Sequence, residues 1–256
     1  MSWLELLLIP LGFAVGAYGT IVGAGGGFVL VPMLLIIYPD QDPASITSIS
    51  LAVVFFNAVS GSAAYARLGR IDMRSGVIFA IASLPSALAG ALLVNYVPRQ
   101  LFDLMFGVVL LSLAAYTIWA TGRPQTMRTP MRGRTVIRRV MPGAEPGETF
   151  VYSYNVVQGV MFAAGIGFLS SLLGIGGGVF HVPVMITILR FPVHVATATS
   201  QFVLLFMSGE ASAVHLINGE LAGDNILRAV LLSVGVIPGA QLGARLAQRF
   251  KGPVIA

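Results

Sequence analysis

The sequence contains no cysteine, one lysine (Lys251) and three histidines. Without cysteine there are no disulfides, thiolate zinc sites, iron–sulfur clusters or cysteine-based sulfur relays. Charge is equally scarce: Asp, Glu, Lys and Arg make up 10% of the 256 residues. Soluble domains carry about 25%, so an ordinary water-facing surface is excluded. Disorder is excluded as well, because 56% of the residues are hydrophobic and the mean hydropathy is +0.87. Glycine is in excess, at 30 of 256 residues. That would burden a soluble helical protein, whereas membrane helices use small residues to pack closely. The composition is that of an integral membrane protein.

Apolar stretches lie at 3–22, 28–38, 46–66, 74–95, 100–120, 154–173, 179–189, 195–217 and 226–247. Seven of these are long enough to cross about 30 Å of hydrocarbon. The stretches at 28–38 and 179–189 are short, and each follows a glycine cluster. Only Glu5 is charged near the start, so the first stretch reads as a span and not a cleaved signal. Trp3 and Trp119 fall at span ends, where aromatic belts sit.

The +5 net charge reports topology. Arg123, Arg128, Arg132, Arg134, Arg138 and Arg139 crowd a Pro/Gly-rich linker at 121–152, and Arg67, Arg70 and Arg74 form a second group. The positive-inside rule makes both cytoplasmic. Asp40 and Asp42, and Glu220 and Asp224, then mark outer loops, with Arg249 and Lys251 inside. Nine crossings are expected, with the N-terminus outside. Anionic lipid heads account for the basic linker, and no nucleic-acid partner is expected.

The segment GAGGGFVLVP at 23–32 returns as GIGGGVFHVP at 174–183. Gly16 matches Gly167 in the same register. After a one-residue gap Ser50 aligns with Ser200, Phe56 with Phe206 and Gly69 with Gly219; Pro85 and Gly90 then align with Pro238 and Gly243. An ordered series of this kind indicates duplication. The expected organisation is a first repeat of five spans at 1–120, a cytoplasmic Arg-rich linker at 121–152, and a second repeat of four spans at 153–256. The second copy lacks an equivalent of the span at 100–120. Five crossings per repeat is an odd number, so the second copy is expected to be inverted. The fold class is therefore all-α: a polytopic membrane protein of two inverted-topology helical repeats with glycine-interrupted short helices.

Matched glycine breaks in inverted repeats point to a transporter's binding site. Gly25, Gly26 and Gly27, and Gly176, Gly177 and Gly178, would unwind their helices and admit a ligand to the backbone. The helices that follow start at Phe28 and Val179, so their positive ends face the gap and suit an anion. Close helix packing is the competing use of such glycines. A dinucleotide fold is excluded by the lack of a soluble βαβ context, and no Walker lysine follows either cluster.

The doubled GxGGG-x4-P motif, with a serine-bearing helix after each copy, resembles the TauE/SafE family of sulfite and organosulfonate exporters. The resemblance covers nearly all of the chain outside the arginine linker, and the absent final helix departs from the family pattern. It implies a sulfur-containing anion, sulfite or a small sulfonate such as sulfoacetate; the residues by themselves support a small anion.

Polar residues within the spans complete the candidate site. Ser50 and Ser200 could donate to an anion's oxygens, as could Thr47, Thr197, Thr199 and Gln201. Serine and threonine also bond back to their own helix, which is the competing role. His181, where the first copy has Leu30, is a candidate substrate-adjacent donor. Asn57 and Gln241 suit interhelical hydrogen bonds or ligand contacts. Glu210, matched by Ser60, is an intramembrane carboxyl and the candidate for proton coupling. His215 is matched by Tyr65, and Arg245 reaches toward the interface. No metal, cofactor or catalytic set is expected. The expectation is an alternating-access transporter of a small anion in the cell's inner (plasma) membrane. The rivals are a passive anion channel and a non-transporting accessory protein.

Overall fold

A computed structural model describes residues 3–121, 135–142 and 149–247. Arg123, Arg128, Arg132, Arg134, Arg249 and Lys251 lie outside the described residues, as do the side chains of Trp3 and Trp119. The described chain is chiefly helical: α1 (Trp3–Leu6), α2 (Leu8–Val22), α3 (Gly27–Ile37), α4 (Pro43–Arg67), α5 (Met73–Leu93), α6 (Arg99–Thr121), α7 (Val156–Leu173), α8 (Gly178–Thr187), α9 (Val193–Asn218) and α10 (Asp224–Leu246). Between α6 and α7 run two strands, β1 (Val136–Pro142) and β2 (Thr149–Asn155).

Among the described residues, six helices are long and apolar enough to cross a membrane: α4, α5 with the 3-10 turn that extends it to Tyr96, α6, α7, α9 and α10. The other three apolar stretches of the sequence form shorter helices. The stretch at 3–22 breaks at Leu7, leaving α2 with 15 residues, or about 22 Å at 1.5 Å per residue. Helices α3 and α8, of 11 and 10 residues, reach only about 16 Å and 15 Å.

Helix starts follow local chemistry. The Asp42 side chain accepts from the Ser45 amide at 2.8 Å, with Pro43 at the first helical position of α4. Asp72 caps α5 through the Ser75 amide at 3.2 Å, and Asn155 caps α7 through the Val157 amide at 3.0 Å.

Small residues decide which helices lie together. Helix α2 runs along α10 and α5 along α7, while α4 and α9 cross at the centre. A Cβ on Gly16 would lie 2.6 Å from the Val236 carbonyl oxygen, and one on Gly167 would lie 2.7 Å from that of Ser83. Gly90 and Gly243 are equally tight, 2.3 Å from the carbonyls of Phe168 and Ala17. Each of these contacts joins residues that match in the two copies, so the same packing is made twice. Helix α4 is buried along most of its length, whereas α6 is largely exposed on the outside of the bundle.

The strands add structure that the sequence reading of an Arg-rich linker at 121–152 did not include. β1 and β2 pair antiparallel, with Val136 opposite Asn155 and Pro142 opposite Thr149. A lone hairpin is marginal in water. Here Tyr152 and Tyr154 anchor it against Phe191 at 4.6 and 5.0 Å between ring centres, and Tyr154 meets Phe79 at 5.7 Å. Asp72 Oδ2 accepts from the Tyr152 hydroxyl at 2.8 Å and pairs with Arg139 Nε at 3.3 Å. The Tyr154 hydroxyl donates to Ser75 Oγ at 2.6 Å. Burial, with the Asp72 carboxylate beside it, pushes the Tyr152 hydroxyl well above its ordinary value, so it stays a donor.

Candidate functional site

Each glycine segment links two helices by a tight reversal. In the first, the Gly23 amide donates to the Thr20 carbonyl at 3.2 Å, and the Ala24 and Gly25 amides share the Gly19 carbonyl at 2.7 and 3.2 Å. In the second, the Ile175 amide donates to the Ser170 carbonyl at 3.1 Å. The residue just before each short helix has a left-handed backbone: φ is 84° at Gly26 and 68° at Gly177. A side chain there would be strained, which explains the middle glycine of each run of three. Every residue of both segments is buried.

The two segments meet. A Cβ on Gly27 would lie 2.5 Å from the Ile175 carbonyl oxygen, and one on Gly178 would lie 2.3 Å from that of Gly23. Gly25 and Gly176 both abut the side chains of Val54 and Leu204, which stand at matched positions on α4 and α9. Gly23 packs on Thr197 and Gly174 on Thr47, another matched pair. The starts of α3 and α8 therefore converge; the Val29 and Leu30 amides donate to the Gly26 carbonyl at 3.1 and 3.0 Å, and the Phe180 and His181 amides to that of Gly177 at 3.0 and 2.9 Å. Two helix N-termini at one buried point make a region of positive potential in a low dielectric.

The serines expected to line the site brace it. Ser50 Oγ donates to the Gly174 carbonyl at 2.7 Å, and Ser200 Oγ donates to the Gly23 carbonyl at 3.0 Å. Each hydroxyl thus holds the glycine segment of the other copy in place. Thr47 bonds back to the Ala44 carbonyl at 3.0 Å, and Thr199 accepts from the Asp72 amide at 3.0 Å. Of the threonines singled out in the sequence, Thr197 alone keeps a buried hydroxyl with no partner.

Polar groups flank the junction on two sides. On one flank, Gln201 Nε2 donates to the Gly19 carbonyl at 3.4 Å, leaving its Oε1 buried and unpaired. Thr20 Oγ1 donates to Asn57 Oδ1 at 2.7 Å, leaving Asn57 Nδ2 buried and unpaired. Tyr65 closes this flank by donating to the Thr20 carbonyl at 2.9 Å. Gly61 makes the room: its absent side chain would touch both Thr20 and Gln201, at 3.3 and 3.4 Å. On the other flank, His181 sits in the first turn of α8 with both ring nitrogens buried and unpaired. Ser170 and Ser171 also have buried, unpaired hydroxyls, and Ser170 borders Gly177.

Other expected residues lie elsewhere. Glu210 is nine residues beyond Gln201 on α9, about 14 Å along the axis, with its Oε2 unpaired. His215 pairs with Glu220 at 3.6 Å between Nδ1 and Oε2. Gln241 Nε2 donates to the Ser60 carbonyl at 2.8 Å, the interhelical role foreseen for it. Arg245 is exposed. Thr20 and Gly61 were not anticipated. Thr20 stands three residues before Gly23, on the turn that the glycine segment closes, and that spacing was the available signal.

Two surface recesses are present, of 480 Å³ beside Asp42 and Arg99 and of 460 Å³ beside Asp72 and Arg138. They lie past opposite ends of α4.

The family model described as "Sulfite exporter TauE/SafE" matches residues 8–256. The chain is 32% identical to the probable membrane transporter protein YunE of Bacillus subtilis (strain 168), over 98% of this chain and 91% of that one. It is 28% identical to a probable membrane transporter protein of Methanocaldococcus jannaschii, over 95% of this chain and 88% of that one. A further probable membrane transporter protein, from Xylella fastidiosa (strain 9a5c), is 28% identical over 93% and 82% of the two chains. No solved structure matches the chain with significance. With spanning helices, paired glycine segments and a family match over nearly its whole length, this multi-pass membrane protein belongs to the TauE/SafE family.

Proposed function

We propose that the chain is a secondary transporter of a small anion, with sulfite or an organosulfonate such as sulfoacetate as the substrate class. The observation that carries this reading is the meeting of two buried glycine segments at the starts of α3 and α8. The positive ends of two converging helices suit an anion without a lysine or arginine. A site free of fixed full charge also releases its ligand, as a carrier must. Gly25–Gly27 and Gly176–Gly178 form the anion-binding backbone in this reading. Ser50 and Ser200 position it, and Gln201 and His181 border it on opposite flanks.

The copies act as inverted repeats that rock about the crossing of α4 and α9, exposing the junction to each side in turn. The equivalent contacts of Gly16 with Val236 and Gly167 with Ser83, and of Gly23 with Thr197 and Gly174 with Thr47, support that symmetry. The family's printed description, and the names of its relatives, support transport as the activity. Glu210 is the proposed proton-coupling group, because its carboxyl is neutral only when protonated and its Oε2 has no partner in the fold.

The test is flux into proteoliposomes of purified protein with sulfite, sulfoacetate, taurine and thiosulfate, with and without a proton gradient. Saturable flux of at least one anion is expected, enhanced by the gradient in wild type and not in Glu210→Gln. Non-saturating passive flux would favour a channel, and no movement of any anion would reject the reading. If Glu210→Gln keeps gradient-driven accumulation at every pH, the coupling assignment goes.

A further inference from the structure

The two glycine segments are matched in sequence and in packing, but their surroundings are not. Around the first segment stand Asn57, Thr197 and Gln201, each buried and each with one unpaired polar atom. Their counterparts in the other copy are Met207, Thr47 and Leu51. Two of these are apolar, and the third spends its hydroxyl on its own helix. Buried polar atoms without partners cost free energy, and such atoms call for an explanation such as a ligand. Three of them gathered beside one glycine segment, amide and hydroxyl groups unlike the Ser170, Ser171 and His181 atoms beside the other, indicate a site filled by something.

The kind of ligand follows from the orientation of Gln201. Its Nε2 faces the Gly19 carbonyl, which can only accept. Turning the amide over would set two oxygens against each other. The atom left buried and unpaired is therefore the oxygen Oε1, an acceptor, on an amide whose carbon would lie 3.4 Å from a Cβ at Gly61. Asn57 offers the complementary atom, the donor Nδ2, and the Thr197 hydroxyl serves either way. A fully deprotonated oxyanion has only acceptors, and it would leave Gln201 Oε1 unpaired and repelled. A ligand that carries its own O–H or N–H beside its anionic group satisfies all three residues.

Building on the anion-carrier reading above, we infer that Asn57, Thr197 and Gln201 form the subsite for the hydrogen-bond-donating end of the substrate. Within the class proposed above, the favoured substrate is a small anion that also bears a hydroxyl or amino donor. The anionic group rests on the glycine backbone and the donor on Gln201 Oε1. Gly61 keeps the space between open, since a Cβ there would press on Thr20 and Gln201. Gln201 is thus a selectivity-determining residue.

The test compares 2-hydroxyethanesulfonate with ethanesulfonate in proteoliposomes at fixed pH, because the two differ by one hydroxyl. Wild type is expected to favour the hydroxylated anion by about tenfold or more in kcat/KM, the effect of leaving a buried acceptor unpaired. Gln201→Met, of similar size but without the acceptor, should bring that ratio close to one while ethanesulfonate still moves. Thr197→Val should lower the ratio less. A wild-type ratio near one overturns the inference whether or not the variants fold, and so does a ratio left unchanged by Gln201→Met. Movement of neither anion, nor of those in the earlier panel, instead removes the carrier reading on which the inference rests.

Discussion

At the residue scale, the glycines divide by what a methyl group would meet. Gly27 and Gly178 hold the two segments in backbone contact, so Gly178→Ala would drive a Cβ to 2.3 Å from the Gly23 carbonyl oxygen. That substitution, or Gly27→Ala, is expected to abolish flux and to lower the thermal midpoint measured in detergent. Gly165, with nothing near its missing side chain, is the control. Gly165→Ala should leave flux intact and stabilise α7 by about 0.5–1 kcal/mol. Ser50→Ala and Ser200→Ala strip a donor from the carbonyls of Gly174 and Gly23. Each should cost about 1–3 kcal/mol, and the matched geometry predicts that the two costs are alike. A large difference between their thermal shifts would count against equivalent bracing. The glycine clusters were legible because three consecutive glycines inside an apolar run have few uses. The roles of Ser50 and Ser200 were not, because whether a hydroxyl faces a ligand or a carbonyl depends on the packing of the other copy, more than 100 residues away.

At the scale of elements, the spans were readable from hydropathy and the short helices from the glycines before them. The interruption at Leu7 had a signal that hydropathy passes over, Pro10, which has no amide to donate to the Leu6 carbonyl. The hairpin was hidden for another reason. Its strands carry Arg138 and Arg139, whose charge dominates the segment, and it is held by Tyr152 and Tyr154 packing on residues far away in sequence. Asp72 joins cap and dock in one side chain: it starts α5 and receives Tyr152 and Arg139. Asp72→Ala should therefore release the hairpin as well as fray α5, with the lost cap alone costing about 1 kcal/mol. Hydrogen exchange over 136–155 is expected to speed up markedly in this variant, and unchanged protection would refute the docking role. The raised Tyr152 hydroxyl adds a pH dependence. Its neutral form is the one favoured in the fold, so its contribution is intact below the ordinary tyrosine range near pH 10 and fades as pH rises above it. Tyr152→Phe should flatten that alkaline loss of hairpin protection.

At the scale of the whole molecule, the duplication lets two short helices, each too short to cross a bilayer, end at one point. Neither half completes the junction alone: Gly27 needs the carbonyl of Ile175, and Gly178 needs that of Gly23. The docked hairpin sets Arg139 on Asp72, beside the arginine group at 67–74. What sequence matching obscured is where the copies differ. The alignment emphasised residues that agree, whereas Asn57 against Met207 and Gln201 against Leu51 give the two flanks of the junction different chemistry.

The central claim is that the glycine junction is a carrier site for a small anion, and counterflow tests it most directly. Proteoliposomes loaded with unlabelled sulfite or sulfonate and diluted into a trace of the labelled anion should show transient uphill accumulation of label. Gly178→Ala vesicles should show none. Label that only equilibrates, without overshoot and equally in both proteins, would contradict the account.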